Sequence, residues 1–97
     1  MLPKYLFKAT ALPYMLEDIA YLERAPIKVK ILKILEKPST PTRISKELKI
    51  HRSSVSRIIL ELEKKGFVKA LNPKDRMARF YQISDRGKNV LDKYLKF

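Results

Sequence analysis

A chain of 97 residues with no cysteine, one histidine and two glycines can build a single core, and it excludes a disulfide scaffold, a thiol switch and a zinc ribbon. Hydrophobic residues make up 45% of it, which excludes a disordered basic tail. No apolar run has the length of a membrane span or the form of a signal peptide, so the cytoplasm is the expected location.

The formal net charge is +12, and Lys4, Lys8 and Arg24 cancel Glu17, Asp18 and Glu23, so the whole excess lies beyond residue 25. A field of that sign points to a polyanion, nucleic acid ahead of membrane lipid. A lysine-rich surface suited to solubility or heat is the alternative.

Residues 1–12 are apolar and aromatic (Leu2, Tyr5, Leu6, Phe7, Leu12) without a clear period. From 13 to about 24 the spacing of Leu16, Ile19, Ala20 and Leu22 predicts a first helix, punctuated by Ala25-Pro26. A second helix over about 27–36 places Ile27, Ile31, Ile34 and Leu35 on one face, with Lys28, Lys30, Lys33 and Lys37 largely outside it.

Thr40 suits an N-cap with Pro41 at the first helical position, and Ile44 and Leu48 give this third helix its buried edge. Lys49 and Ile50 make a short turn. A longer helix over about 52–65 follows and ends at Gly66 in a left-handed cap. Segments 67–71 and 77–83 read as strands around a turn at 72–76, and Ser84 caps a last helix carrying Val90, Leu91 and Leu95. The expected fold class is mainly α with a small β-hairpin (α+β), a single compact domain. Within it, residues 1–25 form an apolar N-terminal part and residues 26–97 the remaining unit.

The stretch HRSSVSRIILELEKKGF, residues 51–67, carries the most chemistry. Val55, Ile58, Ile59 and Leu62 share the i, i+3, i+4, i+7 stripe of a buried face. Ser53, Arg57, Leu60 and Lys64 lie near the opposite side, flanked by Ser54 and Ser56. With Arg52, the first turns therefore expose short hydroxyls and guanidinium groups. Small side chains allow close approach to a DNA groove, hydroxyls bond phosphates or base edges, and arginine makes a bidentate contact to guanine. Glu61 and Glu63 come only later. The plainer reading has Ser53 and Ser54 competing to cap the helix while the arginines are solvated. Two short-linked helices with matching buried edges form a helix-turn-helix unit.

TPTRISKELKIHRSSVSRIILELEKKGFVKALNPKDRMARFYQISDRGKNVL resembles the winged helix-turn-helix of MarR-type regulators and of small archaeal relatives, over about residues 26–92. The resemblance is carried by ELEKKGFV, by PKDR and by ISDRGKNVL, where Ile83, Ser84 and Gly87 match a Leu-Thr-x-x-Gly pattern. It implies that residues 52–57 enter the major groove and that Lys74, Arg76 and Arg79 reach the adjacent minor groove or its phosphates. Three positions depart from the pattern: Lys49 stands where a turn glycine is common, Ser45 replaces alanine, and Met77 replaces a second wing arginine. The chain is also shorter than a typical MarR-type protein, whose terminal helices build the dimer and a ligand pocket.

The expected function is a sequence-specific double-stranded DNA-binding transcriptional regulator. Arg52, Ser53, Ser54, Ser56 and Arg57 form the groove-reading group, Lys74, Arg76 and Arg79 the wing contacts, and Thr42 and Arg43 backbone contacts. The same fold without base preference, as an architectural or replication-associated binder, is one alternative, and a protein-interaction module is another. The neutral N-terminal segment is expected to make a homodimer, or else to close one side of the monomer's own core. His51 reads as a cap or turn residue, and at least one of Phe80 and Tyr81 as core. The scattered carboxylates form no nucleophile-base set, so no enzyme, cofactor or metal is expected, and an effector ligand is not legible.

Overall fold

The computed structural model describes residues 13–74 and 79–96. Five helices and a hairpin occur among them, in the order α1 (Pro13–Glu23), α2 (Pro26–Ile34), α3 (Pro41–Leu48), α4 (Arg52–Lys64), β1 (Val68–Ala70), β2 (Tyr81–Ile83) and α5 (Asp85–Leu95). This is the α+β order expected from the sequence. Segment 1–12, Arg76 at the wing tip and Met77 at the expected start of the second strand lie outside the described residues.

Local chemistry sets most of the boundaries. Thr40 is extended and its hydroxyl oxygen accepts from the Arg43 N–H at 3.2 Å, with Pro41 starting α3 as expected. The Ser84 hydroxyl oxygen likewise accepts from the Gly87 N–H at 3.0 Å and starts α5. At the end of α4, Gly66 has φ +83°, its N–H donates to the Glu63 carbonyl and the Phe67 N–H donates to Leu62. That is the paired C-terminal cap in which glycine pays no steric cost.

The core joins Ile19 and Leu22 of α1, Val29, Ile31 and Leu32 of α2, Ile44 of α3, and Val55, Ile59 and Leu62 of α4 to Phe67, Val68, Tyr81, Ile83, Val90 and Leu91. The buried face of α2 differs from the expected stripe. Ile31 and, just past the helix, Leu35 are buried as expected, but Val29 and Leu32 are buried as well, whereas Ile27 and Ile34 are only partly covered. The cause is packing from more than one direction, since α1 and α5 both lie against α2. A single-stripe reading assumes one neighbour. In α5, Val90 and Leu91 are buried but Leu95 is 50% exposed, so the expected stripe stops a turn early.

The strands are antiparallel, with Val68 opposite Ile83, Lys69 opposite Gln82 and Ala70 opposite Tyr81. Both strands are shorter than the sequence pattern suggested: residue 67 belongs to the helix cap, and residues 71, 79 and 80 lie beyond the strand ends. Ser39 adds a bridge that hydropathy did not reveal. Its N–H donates to the Tyr81 carbonyl at 3.0 Å and its carbonyl accepts from the Tyr81 N–H at 2.8 Å.

The root of the hairpin is tied down on several sides. The Ile83 N–H donates to the Leu35 carbonyl at 2.7 Å, the Gln82 amide to the Glu36 carbonyl at 3.2 Å, and the Ser84 N–H to the Phe67 carbonyl at 2.8 Å. These bonds fix where the wing leaves the body of the protein.

Candidate nucleic-acid interface

The helix-turn-helix begins with Thr42 and Arg43, both exposed in the first turn of α3. At its other end α3 stops at Lys49, which has φ +58° and ψ +44°. The Lys49 and Ile50 N–H groups both reach the Ser45 carbonyl, the latter at 3.1 Å. Lys49 thus takes up the left-handed conformation for which glycine is ordinarily used, and the turn keeps its geometry despite that substitution.

The next helix starts at Arg52, with His51 as its N-cap residue and no side-chain cap bond. His51 is an exposed cap residue, in keeping with its sequence position. Ser53 and Ser54 lie inside the first turn rather than before it, so neither is the N-cap. Arg52, Ser53 and Arg57 are exposed, while Ser54 and Ser56 are partly covered. No acidic residue occupies the first turn of α3 or α4. Leu60 is 46% exposed on the side of α4 opposite the core, as the helical wheel requires, and Ile58 is only partly buried.

Further along α4, Glu61 is drawn aside. Lys28 of α2 donates to its Oε1 at 3.1 Å. The hydrogen bond from Lys28 holds the Glu61 carboxyl below the usual carboxylate range against the opposing effect of burial. Lys28 also stands 4.0 Å from the centre of the Tyr21 ring, and Lys65 stands 4.7 Å from it. Glu61 is therefore paired with a cation from another helix, α2. This support was not legible in the sequence, because Lys28 and Glu61 are 33 positions apart.

In the wing, Lys74 and Arg79 are exposed on either side of the tip. Of the expected aromatic pair, Tyr81 is 4% exposed and belongs to the core, whereas Phe80 is 38% exposed. At the wing root, Ser84 does double duty. Its hydroxyl caps α5 and donates to the Gly66 carbonyl, joining the end of α4 to the start of α5. Arg86 then reaches back to Asp18 of α1, which is 4% exposed, with Nη2 at 3.1 Å from Oδ2. A cleft of about 300 Å³ lies beside the root, lined by Glu36, Lys69, Gln82, Asp85 and Lys88 among others. Among the described residues no group of three or more histidine, aspartate or glutamate side chains is placed to hold a metal, and no helix is long and apolar enough to cross a membrane.

A family model for the winged helix-turn-helix matches residues 23–97. The chain belongs to that family. Among solved structures, this winged helix-turn-helix chain is similar to the YusO protein of Bacillus subtilis (TM-score 0.70, 24% identity, covering 87% of this chain and 62% of that one). It is also similar to the transcriptional regulator BldR of Sulfolobus solfataricus (TM-score 0.67, 22% identity, 86% and 64%). A mutant MarR of E. coli complexed with operator DNA gives a TM-score of 0.69 at 21% identity, with 84% and 61% covered. At these identities the likeness is one of fold, and the chain spans less than two thirds of each of these neighbours. One of these neighbours is MarR itself, in agreement with the resemblance carried by the winged helix-turn-helix residues. A search of curated proteins by sequence found no match.

Proposed function

We propose that this winged helix-turn-helix protein is a sequence-specific double-stranded DNA-binding transcriptional regulator. In this reading α4 enters the major groove by its N-terminal end, with Arg52, Ser53, Ser54, Ser56 and Arg57 at the base edges. Thr42 and Arg43 hold the phosphate backbone, and Lys74, Arg76 and Arg79 of the wing reach the adjacent minor groove or its phosphates. The observation that carries it is the polarity of α4: arginine and serine without any acid at the entering end, and the later Glu61 paired with Lys28 of α2. Small donors at the leading end permit close approach, and a neutralised carboxylate removes a charge that phosphate would oppose.

The protein acts as a homodimer in the cytoplasm, with residues 1–12 and the outer side of α1 as the dimer surface. The inner side of α1 is committed to the monomer core through Ile19 and Leu22. The decisive experiment is selection of bound duplexes from sheared genomic or randomised DNA at near-physiological salt with competitor. Enrichment of an inverted repeat with half-sites about one helical turn apart is the expected result. Binding with a steep salt dependence and no enriched site would instead make it an architectural binder, for which the net charge of +12 is the supporting observation.

A further inference from the structure

The wing has two faces. Alternation along its strands turns Val68, Ala70, Tyr81 and Ile83 toward the core and Lys69 and Gln82 away from it. The pairing runs one step past the strands, because the Leu71 N–H donates to the Phe80 carbonyl at 2.8 Å. The Phe80 N–H donates to the Asn72 side-chain oxygen at 2.7 Å, which closes the tip side of the pair. By the same register Leu71 stands opposite Phe80, and both share the outer face with Lys69 and Gln82. Leu71 is 43% exposed and Phe80 is 38% exposed, and neither belongs to the core cluster.

An apolar cross-strand pair held this firmly, yet left outside the core, calls for an occupant. Exposed Lys69, Lys74 and Arg79 surround it in sequence and register. A second copy of this surface would set cation against cation, and a basic protein partner would do the same. Duplex DNA instead presents alternating phosphates and apolar deoxyribose. We propose that Leu71 and Phe80 are DNA-contacting residues. They form an apolar pad at the stem of the wing that packs on deoxyribose and base edges at the rim of the minor groove, while the cations beside it take the phosphates. The proposal rests on the DNA-binding reading given above and adds two residues that the charge pattern alone does not select.

The test is equilibrium binding of a fluorescent random-sequence duplex by the full chain across a salt series. Phe80→Ala and Leu71→Ala are each expected to weaken binding about threefold to tenfold, from loss of apolar contact. The slope of affinity against salt should stay unchanged, because no phosphate contact is lost. Lys74→Ala, by contrast, should lower that slope by about one. Phe80→Leu should bind nearly as wild type, and if Phe80→Ala lowers the melting temperature, Leu71→Ala carries the comparison.

Wild-type affinity in both alanine variants at every salt would overturn the pad while leaving the DNA-binding reading intact. A wild-type chain that binds no duplex would overturn both. Binding to phosphatidylglycerol vesicles that the variants lose, with duplex binding unaffected, would reassign the pad to a membrane and overturn the proposal.

Discussion

Lys49 holds a left-handed backbone at the centre of the helix-turn-helix, with φ +58° and no glycine to make it easy. Such a residue crowds its own Cβ against the following carbonyl, at a cost of about 1 kcal/mol. Lys49→Gly is therefore expected to stabilise the fold by about 0.5–1 kcal/mol net of the extra freedom of the unfolded chain, and to raise the melting temperature by a few degrees. A lowered melting temperature would mean that the lysine stem contributes packing that outweighs the strain. Gly87 sits under the opposite constraint: a Cβ there would lie 2.1 Å from the Phe67 carbonyl oxygen and 2.9 Å from Ile83. Gly87→Ala should cost about 2–3 kcal/mol by urea denaturation. An unchanged midpoint would show that α5 slides freely away from the wing root. The glycine in the closing ISDRGKNVL motif is thus explained by close approach rather than by backbone angle.

Glu61 yields a pH dependence whose sign follows from its partner. Its folded carboxyl is held below the ordinary carboxylate range, first by the hydrogen bond from Lys28. The contribution is present above that range and is lost as pH falls through the lowered folded value. The side chain is 47% exposed, so the effect is less than about 1 kcal/mol. Denaturation of wild type and Glu61→Gln should differ at neutral pH and converge in acid, once the pH is below the lowered folded value. A difference that persists in acid would assign the effect to packing of the side chain.

At the scale of elements, legibility followed the range of the interaction. Thr40, Gly66 and Ser84 announced their helix ends because a cap is a local bond, made within a few residues. The order of helices and strands followed from apolar spacing for the same reason. The Ser39 bridge was invisible, since a single paired residue has no period, and the buried face of α2 was misjudged because its second neighbour is set by the tertiary fold. The proposed function turns on the α4 face. Arg57→Ala is expected to weaken DNA binding by about 1–3 kcal/mol and to relax base preference at one position. A loss uniform across sequences in the same selection would reassign Arg57 to phosphate.

For the whole molecule, α1 links the N-terminal segment to the rest of the chain. Ile19 and Leu22 are buried without residual exposure, and Asp18 is held by Arg86 of α5. A deletion extending through residue 20 would empty part of the core, so the informative truncation removes residues 1–12 only. That variant is expected to melt cooperatively, to sediment as a monomer and to bind DNA far more weakly than the full chain. A dimeric truncation with undiminished binding would locate the two-fold contact elsewhere. The sequence marked this region as neutral and apolar, but not how its helix divides between the molecule's own core and an outside surface.

The bonds at the wing root bear on the order in which the chain acquires its structure. Gln82 meets the Glu36 carbonyl across 46 positions, and the Ile83–Leu35 and Ser39–Tyr81 bonds close loops of similar span. Each demands that a long stretch of chain be brought together before any bond rewards it, whereas the α3–α4 turn closes within a few residues. Folding should accordingly begin in the helical pair and finish at the hairpin. Native-state hydrogen exchange should then show the amides of Tyr81 and Ile83 opening before those in the middle of α4, with the wing detaching as a unit while the helices remain.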